Sequence, residues 1–246
     1  MYIHDSTKLT YNKLYIKSIN LKYYYYLVLL MLEAKKISKS FGKINVLKNI
    51  DLKVEKGSIV SIYGNSGAGK STLLYVLSTL DIPDFGKVYF ENQSISNLKE
   101  KELSNFRNKK IGFIFQFHNL IEEFNVLENV CLPGYVSSSN FNKIKLKAEQ
   151  LLVDLGLSDR LYHKPNHLSG GEQQRVAIAR SLINSPDIVF ADEPTGNLDS
   201  KNSKNFIEII KKLNKKLNQT FVIVTHNKDF IKISDKSYKI NKGKIS

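Results

Sequence analysis

Eight residues constrain this chain more than any others: Gly64-Asn65-Ser66-Gly67-Ala68-Gly69-Lys70-Ser71. They fit the pattern G-x-x-x-x-G-K-[ST]. Before them, residues 58–63 (SIVSIY) form a short apolar run of the kind found in a buried parallel strand, and residues 70–80 read as a helix. Strand, glycine loop and helix in that order give the pattern its physical meaning. Glycines let the backbone curl so that several N–H groups converge on one anion, and the helix that follows presents its positive end to the same point. Lys70 is expected to reach the terminal phosphates of a nucleotide, and the Ser71 hydroxyl to hold Mg²⁺; Thr72 belongs to the same binding segment.

The rest of the chain supplies a frame for such a loop. Residues 32–41 and 48–54 read as strands joined by a turn at Gly42-Lys43, residues 87–90 as a strand, 98–109 as a polar helix and 111–115 as a buried-type strand. Residues 117–168 have helical periodicity, as in Ala148, Leu151, Leu152 and Leu155, which points to a helical insertion. Strand patterns return at 188–191 and 220–225 with a helix over 200–218 between them. Alternating strands and helices predict a parallel α/β sheet with ligands at the strand ends.

A second element of the site follows from this reading. The apolar run Ile188-Val189-Phe190-Ala191 delivers Asp192-Glu193 at its end. Asp192 is expected to hold Mg²⁺ through water, and Glu193 to orient and deprotonate the attacking water. An acid pair alone is more often a solvated turn; beside a phosphate loop it is the other half of an ATP-hydrolysing centre.

Composition bears on partners. The formal net charge is +14, yet only four of the 37 basic residues are arginine (Arg107, Arg160, Arg175, Arg180). Surfaces that read bases or clamp phosphates favour arginine, so the lysine excess predicts no nucleic-acid partner and fits proximity to acidic lipid. The single cysteine, Cys131, sits in an apolar stretch and reads as a buried inert thiol. The most apolar segment, residues 23–32 (YYYYLVLLML), has ten residues, about half the ~20 needed to cross a bilayer core. Residues 1–30 are expected to be a disordered N-terminal extension, or sequence upstream of a true start at Met31. An interfacial anchor is the alternative.

Leu168-Ser169-Gly170-Gly171-Glu172-Gln173-Gln174-Arg175 can be read simply as a serine cap and glycines opening a helix over 172–184, and such a helix start is itself an anion site. It also resembles the signature motif of the ABC ATPases. The resemblance covers residues 31–246 and implies a P-loop NTPase fold: a RecA-like α/β core, an antiparallel β subdomain and an α-helical subdomain inserted at about 117–168. It implies that Ser169, Gly170, Gly171 and Glu172 contact ATP held by a second copy, so that a homodimer sandwiches two nucleotides. By the same resemblance Gln116 touches Mg²⁺ and relays nucleotide state, Gly196-Asn197-Leu198-Asp199 crosses between copies, His226 senses the γ-phosphate and Phe41 stacks under adenine.

Three stretches narrow the resemblance. Gly64-Asn65-Ser66-Gly67, Gly112-Phe113-Ile114-Phe115-Gln116-Phe117-His118-Asn119-Leu120 and Ala191-Asp192-Glu193-Pro194-Thr195-Gly196-Asn197-Leu198-Asp199 resemble the ATPases of bacterial lipoprotein-releasing systems. The macrolide-export ATPase and the cell-division ATPase FtsE, which regulates cell-wall hydrolysis, share much of the pattern. The resemblance implies a peripheral subunit on the cytoplasmic face of the inner membrane. It would drive separate integral membrane permease subunits, with lipoprotein cargo touched only by those partners. Glu122-Glu123 departs from the usual pair after the glutamine loop, at a place where a membrane partner is expected.

Overall fold

The computed structural model describes residues 30–138 and 140–245. The extension expected over residues 1–30 lies, apart from Leu30, outside the described residues; Leu30 is the first residue of strand β1 and pairs with Glu55.

Two sheets form the frame. The first is antiparallel, in the order β2-β1-β4-β5, from β1 (Leu30–Phe41), β2 (Ile44–Glu55), β4 (Phe85–Phe90) and β5 (Gln93–Ser94). The second has the order β10-β9-β3-β8-β7-β6: β3 (Ile59–Tyr63), β6 (Ile111–Ile114), β7 (Ile188–Asp192), β8 (Thr220–Val224), β9 (Lys236–Asn241) and β10 (Lys244–Ile245). Its pairs are parallel except β10 with β9. β7 and β8 are buried along their whole length, as expected of strands covered on both faces.

The period-2 alternation of those strands divides the interior into two cores. Val189, Ala191, Phe221 and Ile223 face a core built with the helices α3 (Val126–Ser137), α4 (Phe141–Asp154), α5 (Gly170–Leu182), α6 (Ser200–Leu217) and α7 (Lys228–Ile233). Ile188, Phe190, Val222 and Val224 face the other core, shared with the antiparallel sheet and with Leu73, Leu74, Val76 and Leu77 of α1 (Lys70–Leu77). Each face is thus one layer of an α/β sandwich, and the strand ends carrying Tyr63, Asp192 and Val224 emerge together.

The inserted helices pack by one apolar stripe. In α4 the buried residues Ile144, Ala148 and Leu152 recur every four positions. The segment before α3 is irregular and is wired by one side chain. Asn129, 1% exposed, accepts from the Ile121 N–H (2.8 Å) and donates to the carbonyls of Ile121, Phe124 and Asn125.

Helix ends differ from the expectation for identifiable reasons. α1 stops at Leu77 rather than 80 because Thr79 enters the left-handed region (φ 63°), and the N–H groups of Leu80 and Asp81 turn back onto the Tyr75 carbonyl. The helix α2 (Glu100–Lys110) begins at Glu100 rather than 98, where Glu102 reaches back to the Lys99 N–H (2.9 Å). α5 starts at Gly170, two residues earlier than expected, because Ser169 caps it, and it ends at Leu182 rather than 184.

Candidate functional site

The loop between β3 and α1 owes its path to residues without Cβ. Gly67 (φ 74°) and Gly69 (φ 99°) lie in the left-handed region, and a Cβ on Gly69 would meet the Val46 carbonyl at 3.0 Å. Ala68 anchors the loop from behind, its carbonyl accepting from the Gly243 N–H (3.2 Å). α1 has no side-chain cap and no acid in its first turn. Its first N–H groups are therefore free to meet an anion, assisted by the helix dipole.

Around that helix start the structure assembles the expected chemistry. Val46, Gly64, Ser66, Lys70, Gln116 and Glu193 are among the residues lining one cleft of about 620 Å³; Gly67, Gly69, Ser71, Thr72 and His226 complete it. Lys70 Nζ donates to the carbonyls of Gly64 and Asn65, both at 3.2 Å, and lies 3.7 Å from Glu193 Oε1. Ser71 Oγ donates to Asp192 Oδ1 (2.9 Å), and Asp192 is buried at the end of β7. Tyr75 is raised above the usual phenol range by its burial and then by the Asp192 carboxylate.

Glu193 sits in the left-handed region (φ 42°), its N–H fixed to the Val224 carbonyl (2.9 Å). Non-glycine residues in that region cost free energy and cluster where function requires a side chain to be aimed. Here the carboxylate is aimed at His226: Glu193 Oε2 accepts from its backbone N–H (3.2 Å) and lies 2.8 Å from its Nδ1. The loop after Glu193 packs on the glutamine segment, with Asn197 Nδ2 donating to the Gln116 carbonyl (3.2 Å).

A hydroxyl, a buried carboxylate and a glutamine carbonyl are hard oxygen donors, which suits Mg²⁺. Among the described residues there is no cluster of three or more His, Cys, Asp or Glu that could hold a metal alone.

Other expected residues lie elsewhere. Phe41 is 53% exposed at the tip of the β1–β2 hairpin, with Lys39 Nζ 5.4 Å from its ring centre, and does not line the cleft. The Asn65 and Ala68 side chains do not line it either; their backbones shape the loop. Ser169, Gly170, Gly171 and Glu172 are also absent from its lining. At that second place Glu172 Oε2 accepts from the Ser169 N–H and hydroxyl, both at 2.8 Å, and Oε1 accepts from Arg160 (3.0 Å). Those bonds, the Ser169 backbone first, push the Glu172 carboxyl down to about 2. Its carboxylate is thus committed to capping the start of α5.

Val46 is the lining residue that sequence reasoning missed. Strand β2 brings it over Gly69, and only the sheet register shows that.

Comparison with known proteins agrees with this geometry. The sequence model described as ABC transporter matches residues 47–196. The chain is 50% identical over 215 residues to the lipoprotein-releasing system ATP-binding protein LolD of Bacteroides thetaiotaomicron, covering 87% of this chain and 99% of the relative. It is 53% identical over 215 residues to LolD of Cytophaga hutchinsonii, covering 87% and 98%. Among solved structures, the dimeric structure of MJ0796, a bacterial ABC transporter cassette, superposes with a TM-score of 0.81 at 40% identity over 88% of this chain and 97% of that one. A post-hydrolysis dimer of the same cassette bound to ADP and Pi gives 0.78 at 39% identity, again covering 88% and 97%.

Proposed function

This chain belongs to the ABC transporter ATPases, and from that premise we propose that two copies clasp ATP between them and drive a separate membrane permease that releases lipoproteins from the inner membrane. The reading rests on one observation above all: the Lys70 loop, Glu193 and His226 line a single cleft, while the Ser169 helix start lies outside it. One chain holds a complete hydrolytic side and, elsewhere, an anion-binding side with nothing of its own to bind.

The N–H groups of the loop and of α1, with Lys70, bind the nucleotide's phosphates. Val46 lines the cleft, and Phe41, exposed at the hairpin tip outside its lining, is left to stack on an adenine that extends beyond it. Ser71, Asp192 and Gln116 would hold Mg²⁺, which when bound offsets the charge developing on the transferred phosphoryl group. Glu193 takes the proton of the attacking water. His226 holds that carboxylate in place through its backbone N–H, with Nδ1 beside the same oxygen, so Glu193 is aimed before water arrives. The α5 start of the second copy, with Ser169 at its cap, reaches the γ-phosphate from the opposite side, so ATP closes the pair and hydrolysis reopens it.

Closure moves the inserted helices of residues 117–168 against the permease. None of the described helices is long and apolar enough to cross a membrane. In this reading the chain works from the cytoplasmic face on a partner that spans. The identity to two LolD proteins over nearly their whole length supports lipoprotein release as the work done.

Glu193→Gln tests the hydrolytic assignment. The variant binds ATP, turns over roughly 10²–10⁴-fold more slowly and accumulates as a dimer; normal turnover would remove Glu193 from its role. Depleting the chain tests the cargo. Lipoproteins then accumulate in the inner membrane, whereas normal lipoprotein sorting with defective cell-wall cleavage would favour a division role.

A further inference from the structure

Strand β1 breaks its own alternation at one place. Period-2 spacing would set Lys36 on the core face beside Ala34, which is buried. The chain instead bulges. Pairing with β2 shifts between Ala34 and Ile37, pairing with β4 shifts between Lys35 and Ser38, and Lys36 enters the left-handed region (φ 52°). Ile37 then takes the core position, and Lys35 and Lys36 both stand exposed. The bulge is supported from both sides. Asp51 Oδ1 accepts from the Lys36 N–H (3.0 Å), and Gly86 of β4 lies so close that a Cβ on it would meet the Lys35 and Lys36 carbonyls at 2.4 Å.

The re-aimed lysine lines a groove of about 570 Å³ with Lys35, Lys53, Lys236, Leu52 and Tyr238. β1, β2 and β9 each contribute, and the groove shares no lining residue with the nucleotide cleft. Four lysines meet two carboxylates there, Glu33 and Asp51. Glu33 is divided between Lys35 (3.1 Å) and Lys53 (3.2 Å). Lys36 and Lys236 pair with no carboxylate among the described residues; Lys236 Nζ lies instead over the Tyr238 ring (4.9 Å). The Tyr238 hydroxyl is committed to the Lys53 backbone, accepting from its N–H (3.0 Å) and donating to its carbonyl (2.8 Å), so the ring is a fixed wall. Beside the groove Lys35 stands directly opposite Lys87 of β4. Like charges set opposite one another repel, and the fold gathers more positive charge here than it neutralises. Residues 1–29 carry four lysines and one acid, Asp5, so they bring no net negative charge.

We propose that this groove binds a phosphate-bearing anion, apart from the ATP held at Lys70, with Lys36 and Lys236 as its principal ligands. A phosphate monoester carries close to two negative charges on three acceptor oxygens, so it takes more than one ammonium at once. Lysines supply compact point charges, whereas a planar carboxylate is matched best by the arginine fork, and no arginine lines the groove. Its volume falls in the range of small-molecule sites, roughly 300–1,000 Å³. The Tyr238 ring, Leu52 and the lysine stems offer an apolar wall for the body of a phosphate ester. Soluble polyphosphate and an acidic lipid headgroup present the same chemistry.

The test saturates the full chain with ADP, so that the Lys70 cleft is occupied, and titrates it with inorganic tripolyphosphate by calorimetry. Tripolyphosphate binds at one site per chain, and its affinity falls as salt rises. Lys36→Gln together with Lys236→Gln weakens binding at least tenfold while ATP turnover keeps its normal rate. Lys212→Gln together with Lys216→Gln, an equal loss of charge at exposed positions of α6, changes it less than twofold. Flotation with vesicles identifies the source. Binding to phosphatidylglycerol but not to phosphatidylcholine, lost with the Lys36 and Lys236 changes, assigns the groove to a lipid headgroup; tripolyphosphate binding without vesicle binding assigns it to a soluble phosphate. If neither probe binds, or if the two lysine pairs cause equal losses, the proposal is overturned. Polyglutamate binding through Lys36 and Lys236 in place of phosphate would assign the groove to an acidic protein segment and overturn it equally.

Discussion

Around Lys70 the backbone carries positive φ at Gly67, Gly69 and Glu193, and side chains of opposite charge meet within 4 Å. On the inserted helices the means are different: a regular apolar stripe in α4, an asparagine that satisfies a whole loop, and exposed apolar residues such as Phe117 and Val136. The first region spends stability to aim groups at a ligand. The second is held by apolar packing, and part of its apolar surface is exposed. At Glu193 the strained backbone coincides with the chemistry; exposed apolar area marks where another protein is expected.

If that division is right, changes in the two regions fail in different ways. Lys70→Ala removes the ammonium between the loop carbonyls and Glu193, and ATP turnover falls by at least about 10³-fold while the melting temperature stays within about 2 °C. A large loss of stability would erase the contrast. Asn129→Leu shows the reverse. It strands the Ile121 N–H and carbonyl and costs about 2–4 kcal/mol of unfolding free energy by denaturant titration, with ATP affinity of the folded fraction near normal.

A smaller effect separates strain that serves the site from strain that does not. Thr79 is β-branched, buried, left-handed (φ 63°), and its Oγ1 has no partner among the described residues, yet it lies outside the cleft. Thr79→Gly is expected to raise stability by about 1 kcal/mol without altering turnover. Smallest is a pH effect at Glu172. Its carboxyl is held at about 2, below its unfolded value, so its contribution is present above the ordinary carboxylate range and is lost as pH falls toward 2. Glu172→Gln flattens that part of the acid-unfolding curve.

Much of this was legible because chemistry demands particular residue types at particular spacings. The loop 64–71, the acids after β7 and the capped start of α5 announce themselves, and the wholly apolar strands β7 and β8 admit one burial pattern. What was not legible comes from long-range contact. Val46 reaches the cleft through sheet pairing, Asn129 gains its four bonds from the fold of the preceding loop, and Thr79 ends α1 where the helical pattern runs on to Leu80. That Arg180 meets the carbonyls of His118 and Asn119 and, among the described residues, no carboxylate could be seen only in the fold.

The central claim is that a hydrolytic side from one copy and a helix start from another share one nucleotide. A crystal structure of Glu193→Gln with ATP and Mg²⁺ tests it most directly. The account predicts a two-fold dimer in which the γ-phosphate held by Lys70 of one copy lies within hydrogen-bond reach, about 3 Å, of the Ser169 hydroxyl or the α5 N–H groups of the other. ATP bound at Lys70 with the second copy's Ser169 remote from it in every assembly would contradict the account.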